Sequence, residues 1–143
     1  MVKTILVALD CSTTSEQVIE ALDALYIPSH SKIILAHVLP SSDHEGDSHP
    51  EQPHPSPSLR YQQVEEQLQA YQAQVSGSFM EIVNGDPAEE IIRLANIYNA
   101  DLIVIGTRGL QGVTRVIERS VSDQVVAEAT CSVFVVKSQK FSI

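Results

Sequence analysis

Asp101-Leu102-Ile103-Val104-Ile105-Gly106-Thr107-Arg108-Gly109-Leu110-Gln111-Gly112 joins an apolar run to a series of glycines. Leu102 to Ile105 is a continuous apolar run of strand length, and it meets glycines recurring every third residue at 106, 109 and 112. A helical pattern resumes near Val113. The order is strand, glycine-rich turn, helix. Glycine lets the backbone approach a ligand closely, and the first turn of the following helix offers unpaired N–H groups with partial positive charge. Such a junction suits a phosphate. A plain tight turn is the other reading of the same glycines. The spacing is neither Gly-x-Gly-x-x-Gly nor Gly-x4-Gly-Lys-Ser/Thr, so the dinucleotide fingerprint and the Walker loop are both excluded.

Upstream, Lys3 to Leu9 reads as a strand apolar on both faces and ends at Asp10. Asp10 to Ser15 supplies side-chain oxygens for a helix start, and Val18, Ala21, Leu22 and Leu25 follow at helical spacing until Pro28. Ile33 to Leu39 is a second buried strand containing His37, a core histidine by this reading. Tyr61, Val64, Leu68, Tyr71 and Val75 mark one face of a helix that Gly77 ends. Phe79 to Val83 is a third strand, closed by Asn84-Gly85. Asp86 and Pro87 open a helix as N-cap and first residue, with Ile91, Ile92, Leu94, Ala95 and Ile97 as its apolar face. Beyond the glycines, Val116, Ile117, Val121, Val125, Val126 and Ala129 predict a fourth helix, and Ser132 to Val136 a last strand.

Strands that alternate with helices and read as unbroken apolar runs imply an α/β fold, a five-stranded parallel sheet with helices on both faces. In the order 3-2-1-4-5 the strand direction of travel reverses between strands one and four. Ligands in such sheets bind at the carboxyl ends of the strands beside that point. Asp10 and Gly106 are expected to meet there.

The 143 residues are enough for one domain, 1–143. Residues 40–57 are rich in Ser, Pro, His, Asp and Glu and form an expected exposed loop; His44, His49 and His54 there read as solvated rather than as metal ligands. A formal net charge of −9 argues against nucleic acid and against anionic membranes as partners. No apolar run is long enough to span a bilayer, and the opening Met1-Val2-Lys3-Thr4-Ile5 lacks a signal-peptide pattern, so a cytoplasmic protein is expected. Cys11 and Cys131 are too few for a disulfide framework or a thiolate metal site. Ser12 has no histidine at a recognisable spacing, which leaves nucleophilic catalysis unsupported.

Gly106-Thr107-Arg108-Gly109-Leu110-Gln111-Gly112 with Ser120-Val121-Ser122, the strand-ending Leu9-Asp10 and His37-Val38, and Asn84-Gly85-Asp86-Pro87 together resemble the universal stress protein family. The resemblance covers the chain except residues 40–57 and implies the adenine nucleotide alpha-hydrolase-like form of the fold above. It implies ATP, ordinarily with Mg²⁺, held with little turnover. Asp10 would lie near ribose or adenine, and the Val38 backbone at the adenine edge. Gly106, Gly109, Ser120, Val121 and Ser122 would approach ribose and phosphates, with Arg108 nearby. The family's ATP-binding signature is Gly-x2-Gly-x9-Gly-Ser/Thr, and here Arg119 stands where its third glycine belongs. Arg119 either leaves its backbone N–H and its guanidinium to a phosphate or fills the space that glycine leaves open. The resemblance also implies a homodimer through the apolar last strand. A dimerisation module that binds no nucleotide is the alternative. An enzyme of response-regulator or flavodoxin type is disfavoured, because the acidic pair and acceptor Asp of the first and the phosphate loop of the second are missing.

Overall fold

The computed structural model describes residues 3–10, 13–39, 57–107 and 121–137. Along them run β1 (Thr4–Ala8), α1 (Thr13–Leu22), β2 (Lys32–Leu39), α2 (Pro57–Gln74), β3 (Ser78–Asn84), α3 (Pro87–Tyr98), β4 (Leu102–Thr107), α4 (Val121–Glu128) and β5 (Ser132–Lys137). The strands form one parallel sheet in the order β3-β2-β1-β4-β5, as the sequence pattern implies.

Side chains alternate across the strands, so each strand feeds two cores. Ile5, Val7, Ile33, Leu35 and Val104 pack under Val18, Ile19 and Leu22 of α1 and Val64 and Leu68 of α2. Leu6, Ala8, Ile34, Ala36, Ile103 and Ile105 pack under α3, through Ala88, Ile91, Leu94 and Ala95, and under Val125 of α4. Covering both faces explains why β1, β2 and β4 read as unbroken apolar runs. Burying one such side chain contributes about 1.5–3 kcal/mol.

The start of α3 follows its sequence signals: Asp86 is the N-cap, its carboxylate accepting from the Glu89 N–H at 3.1 Å, and Pro87 follows. Other boundaries differ. α1 ends at Leu22, three residues before Leu25, where N–H groups of residues 23 to 25 bond carbonyls three residues back and tighten the last turn. Leu25 still packs against the core from outside the helix. Tyr61 and Ile97 sit on predicted apolar faces yet are 42% and 56% exposed, because neither faces the sheet. β4 runs on through Gly106 and Thr107 instead of stopping at Ile105, since β5 offers it partners as far as Lys137. Pro57 opens α2, and residues 40–56, with the three loop histidines, lie outside the described residues, as does Cys11. Cys131 is half-buried, and burial pushes its thiol up.

The amino end of the sheet is tied by Asp101. Its Oδ2 accepts from the backbone N–H of Lys3 at 2.9 Å and of Thr4 at 3.0 Å, while its own N–H donates to the Thr4 carbonyl. The Lys3 and Thr4 N–H groups hold its carboxyl below the usual range. A depressed carboxylate stabilises the fold above its unfolded pKa and loses that contribution as pH falls through the folded value. Asp101→Asn, which keeps an acceptor without the charge, should therefore melt below the parent at neutral pH. The gap should close as pH falls below about 4, as thermal denaturation across a pH series will read.

Candidate functional site

The pairing register sets which residues emerge together. Ala8 lies opposite Ala36 on one side and Ile105 on the other, so the carboxyl ends of β1, β2 and β4 lie side by side. Asp10 and Val38 each follow two residues beyond the Ala8 and Ala36 pair, and Gly106 and Thr107 continue β4 at the same end. α4 returns to β5, whose Ser132 pairs with Leu102 at the amino end; its eight residues cover about 12 Å, which puts Val121 and Ser122 toward the carboxyl end. Asp10, Val38, Gly106, Val121 and Ser122 thus gather at one end of the sheet, beside the reversal between β1 and β4. Arg108, Gly109, Arg119 and Ser120 lie outside the described residues.

Asp10 is exposed, and its Oδ1 accepts from the Ser15 hydroxyl at 3.0 Å. Ser15, in the first turn of α1, is 1% exposed, so the carboxylate is oriented from within the fold. In the sequence pattern Ser15 is one of several helix-start oxygens; its place five residues beyond Asp10, at the first turn of the next helix, is the signal that links the two.

His37 is buried, as a core histidine should be, and its Nδ1 lies 2.8 Å from the Leu9 carbonyl. A carbonyl only accepts, so Nδ1 carries the proton and donates it. Burial holds the imidazole below its ordinary range, outweighing the Leu9 carbonyl and the Asp10 carboxylate, which favour the cation; Arg60 of α2 adds to the lowering. The ring is neutral at pH 7, with Nε2 as an acceptor.

Gly106 has a packing reason of its own. A Cβ there would stand 2.7 Å from the Thr14 Cγ2 and 2.9 Å from the Val18 Cγ2. The missing side chain is what lets α1 close on β4. Val121 is exposed, whereas Ser122 is 5% exposed and shares the inward stripe of α4 with Val125. Among the described residues no group of three or more His, Cys, Asp or Glu is arranged to hold a metal ion, and no helix is long and apolar enough to cross a membrane.

A doubly wound parallel sheet here brings an oriented carboxylate and a glycine-bearing strand to its reversal, the place where open α/β sheets take up ligands. The universal stress protein family's sequence model matches residues 1–137, and the chain belongs to that family. A universal stress protein of Synechocystis, Sll1388, is 28% identical over 93% of this chain and 96% of its own length. MJ0531, a universal stress protein of Methanocaldococcus jannaschii, is 45% identical over a shorter match, 42% of this chain and 35% of that protein. In fold, the chain is similar to a universal stress protein solved in complex with cAMP, with TM-score 0.69 and 22% identity over 95% of this chain and 97% of the other. It is also similar to a family member from Arabidopsis thaliana with AMP bound, with TM-score 0.64 and 22% identity over 96% and 92%.

Gly106→Ala should lower stability by about 1–3 kcal/mol through the forced separation of α1 from β4. Thr14→Ser, which removes the nearer methyl, should recover part of that loss in the double variant, as denaturant unfolding of the four proteins will measure.

Proposed function

We propose that this chain binds an adenine nucleotide, ATP in the working state, at the carboxyl ends of β1, β2 and β4, and acts as a nucleotide-dependent stress or signalling protein with little or no turnover. The observation that carries this is the oriented Asp10 carboxylate beside the β1–β4 reversal. An acceptor held at 3.0 Å by a buried hydroxyl suits a ribose hydroxyl, which must donate. The Val38 backbone would serve the adenine edge. Gly109, Ser120 and Ser122, with Arg108 and Arg119, would serve ribose and phosphates. Relatives of the same fold with cAMP and AMP bound support an adenine ligand. Mg²⁺ would arrive on the phosphates, since no carboxylate cluster among the described residues is arranged to hold it. Little turnover follows from the lack of a recognised general base in the sequence pattern. A cytoplasmic location fits a ligand of that compartment.

β5 is a sheet edge, and Val133, Phe134, Val135 and Val136 are all half-buried, so an apolar strand has one side unpaired within the described residues. Pairing with a second copy would cover it, giving a homodimer. The second reading, a dimerisation module without nucleotide, is favoured by Arg119 in the place of the signature glycine.

Calorimetry with ATP and Mg²⁺ should give binding that Asp10→Ala weakens and Gly109→Val abolishes; no binding by the parent protein would leave the dimerisation module. Arg119→Gly decides the role of that side chain by sign. Weaker binding, by about tenfold or more for one charged hydrogen bond, marks Arg119 as a phosphate ligand, and tighter binding marks it as an obstruction. By light scattering the protein should have dimeric mass at micromolar concentration, and Val135→Pro should shift it toward monomer.

A further inference from the structure

We propose that His37 is a positioning residue of the nucleotide site, supplying through its side chain the hydrogen bond that fixes the end of β1 after the main-chain ladder has run out. Strand pairing between β1 and β2 runs as far as Ala8 and Ala36, and Leu9 follows. Its N–H still donates to the Ala36 carbonyl at 2.8 Å, while its carbonyl accepts from His37 Nδ1 at 2.8 Å. Both polar groups of Leu9 are thus held by β2, one by backbone and one by imidazole. The next residue is Asp10. Since Leu9 is 3% exposed and His37 8% exposed, water does not readily replace that bond, and an unpaired carbonyl there would be costly.

The consequence is geometric. β2 carries His37 and Val38 as neighbours, so one strand sets the place of Asp10 through Leu9 and presents the Val38 backbone beside it. Ser15 fixes the carboxylate of Asp10, and His37 fixes the main chain from which it springs. A site whose contacts must meet a ribose and an adenine edge together gains affinity from such preorganisation, because less ordering remains to be done when the ligand arrives. This role rests on the nucleotide reading above, but the clasp on Leu9 does not.

His37→Asn and His37→Leu separate the idea from simple packing. The Asn amide nitrogen reproduces the Nδ1 donor, whereas Leu fills the space without one. In the ligand-free protein, nitrogen NMR should show the Nδ1–H tautomer of His37. Amide exchange at Leu9 should quicken by about tenfold or more in His37→Leu and stay near the parent rate in His37→Asn. An Nε2–H tautomer, or equal protection in all three proteins, overturns the clasp without reference to any ligand. If the parent binds ATP, calorimetry at a temperature where every variant is folded should show affinity reduced about tenfold in His37→Leu and retained within about threefold in His37→Asn. Equal affinity in His37→Leu and the parent overturns the positioning role while leaving the nucleotide reading intact. A parent protein that binds no nucleotide overturns the nucleotide reading, and with it the role of the clasp in binding.

Discussion

The double pairing of β1 governs the architecture. Leu6 and Val7 have 0% exposure, and their strand is covered by helices on both faces, so every N–H and C=O along it must find a partner in a neighbouring strand. β2 supplies those partners on one side and β4 on the other. A chain that builds outward from β1 through β2 and β3 must therefore come back past its starting strand to add β4 and β5. The reversal of strand order therefore falls between β1 and β4, the kind of position at which open α/β sheets take up ligands.

At the carboxyl end of β1 regular backbone pairing ends and side chains take over its work. The imidazole of His37 satisfies the Leu9 carbonyl and the hydroxyl of Ser15 orients Asp10, while at the end of β2 the backbone N–H of Gly85 still donates to the Leu39 carbonyl at 2.9 Å. Gly106 belongs to the same arrangement from the other side. By lacking a Cβ it admits the first turns of α1, which carry Ser15 toward Asp10. The packing role of Gly106 and a backbone approach to a ligand are compatible, because one uses the absent side chain and the other the main chain.

The opposite end of the sheet carries different chemistry. Asp101 fastens the start of β4 to the start of β1, and Lys32 lies 4.9 Å from the ring centroid of Tyr98 and 5.2 Å from that of Phe79, whose ring is largely exposed. The Tyr98 hydroxyl donates to Glu81 at 2.7 Å, and that bond raises its pKa. The two Lys32 contacts contribute about 0.5–1 kcal/mol each and help to dress the outer strand β3 with charge.

The sequence by itself determined the alternation of strands and helices, the buried character of β1, β2 and β4, the Asp86-Pro87 helix start and the family. Each of these is written in local periodicity or in a contiguous motif, which needs no knowledge of what lies across the sheet. It also marked Asp10 and Gly106 as a pair, once a strand order was assumed, and Val38 through the family resemblance. Only the tertiary structure decided what those residues touch. His37 reads locally as one more core residue, and its bond to Leu9 exists because strand register brings together positions 28 apart. Asp101 reads as the polar residue before a strand, and its partners are 98 and 97 residues away. Gly106 reads as a turn, yet it lies within a strand because β5, formed later in the chain, extends the ladder past it. Local pattern fixes which face of an element is apolar; the residues that meet across that face are chosen by register and close packing, which involve the whole chain at once.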